Sequence, residues 1–228
     1  MQMKNIQFIL ILISGFCVAQ NKFEIKNGSG KYSAEISVDS CSNENCEGKA
    51  TIKLMDKKTN RFFQTLSSDN LYFFLDEKQN PTVNVIQLYN EQSPLIFNDF
   101  NFDGTEDLAI RNGNESAYGG PSYDVYVYNS TKKQLVFSEQ LTNLAVDNLG
   151  MFETDHKRKR LITYSKSGCC WHITAEYEVV PNKGLRKVYE FEEDAMNGEV
   201  VTVTTRNLVN NKWQSKTKKY KISEYYKQ

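Results

Sequence analysis

The sequence predicts an all-β protein, a single domain of antiparallel strands that is either propeller-like or sandwich-like. Apolar and polar residues alternate with a period of two over most of the chain, and patterns with a helical period are nearly absent. The 228 residues contain no linker rich in Pro, Gly and Ser that would divide them. We therefore expect residues 20–228 to form one domain.

The N-terminus has the pattern of a secretory signal peptide. Lys4 precedes the apolar run 8–13, and small residues suited to cleavage follow it. The run is too short for a transmembrane helix, which needs roughly 20 apolar residues. Cys17 raises the alternative of a lipoprotein anchor, which the bulky Phe16 directly before it disfavours. The sequence thus predicts an exported protein, periplasmic or extracellular, after removal of residues 1–19.

The overall charge narrows the classes of partner. The chain has 28 basic and 28 acidic residues, so there is no reason to expect nucleic acid or an anionic membrane surface as a partner. Its two histidines cannot form a zinc cluster, and it has no Gly-x-Ser-x-Gly nucleophile motif. Any partner must therefore be recognised by a local surface.

Four cysteines remain once residues 1–19 are removed, and export makes disulfide bonds their expected state. We favour a bond between Cys41 and Cys46, which lie close together in a polar turn between two strand-like segments. The adjacent Cys169 and Cys170 then either bond each other or stay reduced. Pairing between the two groups is the alternative that the sequence leaves open.

Strand patterns are found on both sides of an acidic stretch at residues 99–108. Before it we expect strands at residues 23–26, 31–38, 50–55, 61–66, 71–75 and 83–88, with a turn at 67–70. After it we expect strands at residues 108–110 and 123–128 and a short helix at 138–146. A C-terminal meander from residue 161 onward should contain strands at 171–180, 185–192, 200–206 and 213–222.

The acidic stretch, DFNFDGTEDL, has the spacing of a calcium-binding loop. Oxygen-bearing side chains recur at loop positions 1, 3, 5 and 9, and Gly104 stands where the chain must turn sharply. Position 12 is Ile110, so the bidentate glutamate of an EF-hand is missing, and a loop between strands is favoured. The alternative is an acidic turn without metal. The predicted ligands are the side chains of Asp99, Asn101, Asp103 and Asp107 and the backbone carbonyl of Thr105.

A Gly-rich loop at residues 113–121 follows, and we predict that it forms a partner-binding surface. Its glycines let the backbone approach a partner closely, and Pro121 stiffens the turn. Tyr118 offers an amphipathic ring with little conformational entropy to lose on binding. The alternative is that the tyrosines of this region are ordinary strand residues. The predicted contact residues are Ser116, Tyr118, Gly119, Gly120, Ser122 and Tyr123.

Three motifs that appear in order, DFNFDGTEDLAI, AYGGPSYDVYVY and GCCWH, carry a family resemblance over residues 97–172. Residues 97–110 resemble the FG-GAP or integrin-type calcium loop, D-x-[DN]-x-D-G-x-x-D-[LI]. The set resembles a family of secreted bacterial immunity proteins, likened to lysozyme inhibitors, that neutralise exported peptidoglycan hydrolases. This resemblance implies a calcium-binding inhibitor, a hydrolase as its partner, and an inhibitory loop at residues 116–123.

Two other functions stay open at this point. The chain could be an envelope adhesion or scaffold module in which the calcium loop is purely structural. It could also be an enzyme in which a thiolate of Cys169 or Cys170 is activated by His172 or His156. Disulfide bonding in an oxidising compartment disfavours the enzyme, so we predict a binding protein without catalytic residues.

Overall fold

A computed structural model describes residues 21–88, 91–181 and 183–227. The signal-peptide prediction for residues 1–19 lies outside the described residues. The described chain forms three antiparallel sheets that follow one another in chain order. This architecture confirms the predicted all-β class. No helix in the described ranges is long and apolar enough to cross a membrane.

Each sheet is a simple meander in which neighbouring strands pair antiparallel. The N-terminal sheet contains β1 (Asn21–Ile25), β2 (Tyr32–Cys41), β3 (Asn45–Asp56) and β4 (Arg61–Phe74). The middle sheet contains β5 (Leu95–Asn98), β6 (Asp107–Arg111), β7 (Tyr123–Asn129) and β8 (Gln134–Phe137), and the helix α1 (Glu139–Val146) follows it. The C-terminal sheet contains β9 (Glu153–Asp155), β10 (Arg160–Ser167), β11 (Trp171–Val180), β12 (Gly184–Asp194), β13 (Val200–Val209) and β14 (Lys212–Lys221), before the short helix α2 (Ile222–Tyr225).

The middle sheet is buried on both faces, because a separate apolar cluster covers each of them. Phe97 and Leu108 point into a cluster shared with the N-terminal sheet. Ile96 and Val125 point the other way, into a cluster shared with α1 and the C-terminal sheet. This alternation is the two-residue period of a strand, and each fully buried side chain of this size contributes about 1.5–3 kcal/mol. β6 is consequently buried along its whole length.

The predicted turn at residues 67–70 is wrong, because β4 runs unbroken through it. A register shift between Gly48 and Ala50 in β3 keeps the two strands paired across this polar segment. Ser68 is buried, and its hydroxyl donates a hydrogen bond to the carbonyl oxygen of Arg111, at 2.8 Å. The polar residues that suggested a turn therefore bind the middle sheet instead.

The predicted strand at residues 83–88 is also wrong. In its place Ile86 forms an isolated bridge with Gln92. The Ser93 hydroxyl accepts a hydrogen bond from the Val85 N–H, at 2.9 Å, where a continuous strand would use a backbone carbonyl. The predicted helix at 138–146 and the C-terminal meander are confirmed, and β5, β8 and β9 are strands that the sequence pattern missed.

The four cysteines of the described chain form two local disulfide bonds. Cys41 and Cys46 are bonded across the β2–β3 hairpin, where they are also register partners. Cys169 and Cys170 are bonded to each other in the turn between β10 and β11. Each bond therefore fixes one hairpin turn, and neither joins two sheets.

Candidate functional site

The acidic loop, residues 99–106, joins β5 to β6 at one end of the middle sheet. Asn98 and Asp107, on either side of it, are register partners at the start of the β5–β6 ladder. Phe100 is fully buried inside the loop, and its ring packs edge-on against Phe152, with centroids 5.5 Å apart. Phe102 and Gly104 adopt the left-handed conformation, with φ of 59° and 86°, which turns the chain back. The loop is therefore anchored in the core by an aromatic side chain.

Side-chain oxygens of this loop hold its backbone amides. The two carboxylate oxygens of Asp99 accept hydrogen bonds from the N–H groups of Asp103 and Gly104, at 3.1 and 2.9 Å. The Asn101 side-chain oxygen also accepts from Asp103 N–H, at 3.0 Å. One Asp103 oxygen accepts from Thr105 N–H, at 2.8 Å, and from its hydroxyl. Four of the five predicted ligands are thus joined in one network of local bonds.

Asp107, the fifth predicted ligand, is buried at the start of β6. Its two carboxylate oxygens accept hydrogen bonds from Tyr128 N–H and Phe100 N–H, at 2.8 and 2.9 Å. The pKa of this carboxyl is raised to about 7, chiefly by burial and also by the negative charges of Asp103 and Asp99, against the lowering effect of the two backbone donors. Like charges therefore converge on a carboxylate that has little contact with water.

The donor chemistry of this loop fits a hard cation. All the predicted ligands offer oxygen, the atom that calcium prefers. A cation would also offset the negative charges of Asp103 and Asp99, which raise the pKa of Asp107. No ion pair in the described ranges involves Asp99, Asp103 or Asp107. Among the same residues no three His, Cys, Asp or Glu side chains are grouped as a metal centre. Calcium binding therefore stays a prediction.

Glu106 lies between two predicted ligands and links the acidic loop to the N-terminal sheet. One of its carboxylate oxygens accepts a hydrogen bond from the Ser29 hydroxyl, and the other accepts from Gly30 N–H, at 3.2 Å. Nearby, the Lys31 ammonium lies 3.8 Å from the ring centroid of Tyr128, on β7. Sequence reasoning missed this contact, because Glu106 and Ser29 are 77 residues apart.

The Gly-rich loop joins β6 to β7 at the other end of β6, and three of its six predicted contact residues are buried. Tyr123 is fully buried, and its hydroxyl donates to the Ser93 carbonyl oxygen, at 2.7 Å. The Ser122 hydroxyl donates to the Asn112 carbonyl oxygen, at 2.6 Å. Ser116 is 5 % exposed. We correct the prediction accordingly, because side chains this buried are not available to contact a partner.

The remaining three predicted residues form the exposed tip, which contains a short 3-10 segment, Ala117–Gly119. Gly120 closes the tip, because its N–H donates to the Ala117 carbonyl oxygen and its own carbonyl oxygen accepts from Ser116 N–H. A Cβ at Gly120 would lie 2.8 Å from the Ser116 hydroxyl oxygen, so a larger residue there would force the buried Ser116 side chain to shift. Gly119 is left-handed, at φ 67°, and no heavy atom beyond its chain neighbours lies within 4 Å of the position that its Cβ would take.

Tyr118 projects from this tip with 63 % of its surface exposed. Its backbone is left-handed (φ 60°, ψ 26°), which is uncommon for a residue other than glycine and marks an enforced conformation. Its hydroxyl oxygen accepts a hydrogen bond from Gly168 N–H, at 2.6 Å, and the Lys166 ammonium lies 4.8 Å from its ring centroid. Beside the ring is a pocket of about 200 Å³ whose walls include Pro121 and Leu149.

The base of the Gly-rich loop is held by β4, through residues that sequence reasoning did not single out. The Asn112 side-chain oxygen accepts hydrogen bonds from Asn70 N–H and from the Ser68 hydroxyl, at 3.1 and 3.2 Å. Its amide nitrogen donates to Asp124, at 2.9 Å. Gly113 N–H donates to the Asn70 carbonyl oxygen, at 2.6 Å. The loop is thus a rigid platform for an exposed tyrosine.

Comparison with known proteins yields similarity at the level of the fold. No family model matches the chain, and no curated protein matches it significantly. A solved structure described as "Structure of a Xanthomonas Type IV Secretion System related protein" is similar, with a TM-score of 0.63 and 23% identity. The match covers 86% of this chain and 93% of that chain. The two proteins therefore share a fold over nearly their whole lengths.

Proposed function

We propose that this protein is exported and that it binds and inhibits a peptidoglycan hydrolase, as an immunity protein of the lysozyme-inhibitor kind. The tip of the Gly-rich loop, residues 117–120, would enter the substrate cleft of the hydrolase. The acidic loop would bind calcium and hold the neighbouring sheet. The motifs over residues 97–172 resemble such inhibitors, and the described structural neighbour is related to a secretion system.

The observation that carries this proposal is Tyr118, which is exposed at the tip of a loop next to the buried residues Ser116, Ser122 and Tyr123. Hot spots of protein interfaces are enriched in tyrosine, and a preorganised aromatic ring loses little entropy on binding. The Tyr118 backbone is left-handed, and its side-chain hydroxyl accepts a hydrogen bond from Gly168 N–H, outside its own loop. A solvent-exposed ring that is fixed in this way suits insertion into a cleft lined by sugar-binding groups.

Calcium would have a structural role in this mechanism. Asp99, Asn101, Asp103, Thr105 and Asp107 would hold the ion, which supplies positive charge to the converging carboxylates. Asp107 accepts its two hydrogen bonds from the loop itself and from β7. A bound cation would therefore fix the acidic loop against β7, the strand that directly follows the Gly-rich loop.

Inhibition of a hydrolase on isolated peptidoglycan tests the proposal. The hydrolase should be one encoded beside this protein, and the purified inhibitor should slow its turnover in calcium. We expect Tyr118→Ala to weaken binding by roughly 2 kcal/mol, as an interface hot spot does. Tyr226→Ala is a matched control, because Tyr226 is similarly exposed (57 %) but lies beyond α2.

Other results would favour the two alternatives. Binding that is unaffected by Tyr118→Ala, with intact calcium dependence, would favour a scaffold module in which the acidic loop is purely structural. An enzyme would need a free thiolate, and Cys169 and Cys170 are bonded to each other. Failure of the wild-type protein to bind any co-encoded hydrolase would contradict the proposed function.

A further inference from the structure

The end of β10 and the turn between β10 and β11 supply the two contacts that hold the Tyr118 side chain from outside its loop. The Gly168 N–H donates to the Tyr118 hydroxyl oxygen, at 2.6 Å, and the Lys166 ammonium lies 4.8 Å from the ring centroid. Both residues come from a segment about 50 positions further along the chain. The orientation of the ring therefore depends on the conformation of this turn.

The turn has an unusual covalent constraint. Gly168 is left-handed, at φ 61°, and the two residues after it, Cys169 and Cys170, are bonded to each other. The Cys170 carbonyl oxygen accepts a hydrogen bond from Ala195 N–H, at 2.8 Å, which ties the far side of the turn to the end of β12. A bond between neighbouring residues removes much of the freedom of the backbone between them. The disulfide therefore restricts the conformation of the turn that presents the Gly168 N–H.

The backbone of the Gly-rich loop is held independently of this disulfide. Ala117 N–H donates to the Asn148 carbonyl oxygen, at 3.0 Å, and the Asn148 side chain accepts from the Ser165 hydroxyl, at 2.6 Å. Asn148 is buried and follows α1. Opening the Cys169–Cys170 bond would consequently release the ring of Tyr118 while the rest of the loop stays in place.

We propose that the Cys169–Cys170 turn is a positioning element for Tyr118, and that the ring keeps its fixed exposed orientation only while this disulfide is oxidised. Its consequence for partner binding rests on the proposed function. Tyr118 would be ready to bind in an oxidising compartment and released under reducing conditions, so the protein would act only after export.

Reduction of the bond follows ordinary thiol–disulfide exchange with a dithiol. One thiolate of the dithiol attacks a cysteine sulfur, the Cys169–Cys170 bond breaks and a mixed disulfide forms. The second thiol then displaces the cysteine, leaving two cysteine thiols and an oxidised dithiol, with two electrons and two protons transferred. Cys169 is exposed, whereas Cys41 is only partly exposed and Cys46 is fully buried, so the Cys169–Cys170 bond should be reduced first.

The test observes Tyr118 directly by fluorine NMR of protein labelled with 3-fluorotyrosine. The chain has thirteen tyrosines, and the Tyr118 resonance is the one that disappears in Tyr118→Phe. We expect this resonance to move toward that of free 3-fluorotyrosine in the double variant Cys169→Ser/Cys170→Ser, while the resonance of buried Tyr123 stays in place. The matched control, Cys41→Ser/Cys46→Ser, should leave the Tyr118 resonance unchanged.

A Tyr118 resonance that is the same in the wild type and in Cys169→Ser/Cys170→Ser would overturn the inference. If that variant does not fold, the wild type is titrated with dithiothreitol while mass spectrometry follows which bond opens. The Tyr118 resonance should then move in step with reduction of Cys169–Cys170, and a resonance that stays in place would again overturn the inference.

Affinity for the hydrolase provides the second measurement. We expect the oxidised protein to bind roughly tenfold more tightly than Cys169→Ser/Cys170→Ser, the factor expected when an interface side chain must be ordered on binding. Equal affinities would overturn the inference even if the resonance moved. Absence of any hydrolase binding by the wild type would instead count against the proposed function, and the resonance alone would then decide the inference.

Discussion

The two loops at either end of β6 are held by different kinds of contact. The acidic loop is shaped mainly by its own side chains, since Asp99, Asn101 and Asp103 accept hydrogen bonds from amides two to five residues further on. The Gly-rich loop has local bonds at its tip, but its base and the Tyr118 side chain are held by distant residues, among them Asn70 and Gly168. Local bonds make a loop recognisable in the sequence, whereas distant bonds leave no local pattern.

The largest loss of stability should come from substitution of Asp107, which accepts one hydrogen bond from the acidic loop and one from distant Tyr128 on β7. In calcium at about 100 times its dissociation constant, we expect Asp107→Ala to lower the free energy of unfolding by about 4 kcal/mol. The loss combines the calcium linkage with two N–H groups left unpaired, the buried one of Phe100 and the part-buried one of Tyr128. Urea unfolding followed by circular dichroism measures it. A loss below about 1 kcal/mol would contradict the central role of Asp107.

Substitution of Asp103 should separate the contribution of calcium binding to stability from the contribution of the local hydrogen bonds. Its side chain is exposed, and its partners, Thr105 and Asn101, lie in the same loop. We expect Asp103→Ala to remove the calcium stabilisation, about 2.7 kcal/mol at 100 times the dissociation constant, and to have little effect in chelator. Melting temperatures in calcium and in chelator measure this difference. Equal values for the wild type in the two conditions would remove calcium from the account.

Asn112 tests the distant contacts of the Gly-rich loop. Asn112→Ala leaves Asn70 N–H, the Ser68 hydroxyl and the Asp124 carboxylate without this partner. We expect a loss of about 2 kcal/mol in urea unfolding, the same in calcium and in chelator. Asn129→Ala is the control, because its side chain accepts a single exposed hydrogen bond and should cost under about 0.5 kcal/mol. A calcium-dependent loss for Asn112→Ala would contradict the separation of the two loops.

The smallest expected effect is the change of calcium affinity with pH. The pKa of Asp107 is raised from its ordinary value of 3.8 to about 7, so its protonated form is favoured in the metal-free protein below that pH. A raised pKa contributes stability at low pH that is lost as the pH rises through 7, whereas calcium needs the ionised form. We therefore expect calcium affinity to be about tenfold lower at pH 6 than at pH 8. Isothermal titration calorimetry at the two pH values measures it, and equal affinities would show that Asp107 is not a ligand.

The sequence determined the all-β class, the helix at 138–146 and the C-terminal strands, because alternation with a period of two follows directly from the geometry of a strand. It also indicated the acidic loop, whose spacing is local. It failed at residues 67–70, where polar residues typical of a turn continue β4 because Ser68 binds the backbone of Arg111. A contact between segments 43 residues apart cannot be seen in a local pattern.

Only the tertiary structure decided which residues of the Gly-rich loop are available to a partner. Tyr123 is buried in the cluster that the middle sheet shares with α1, Ser116 and Ser122 are buried as well, and Tyr118 alone projects a large side chain from the tip. The structure also brought Gly168 and its neighbouring disulfide against Tyr118. Residue types and spacing set local bonding, but exposure depends on which sheets pack together, and that is decided by the whole chain.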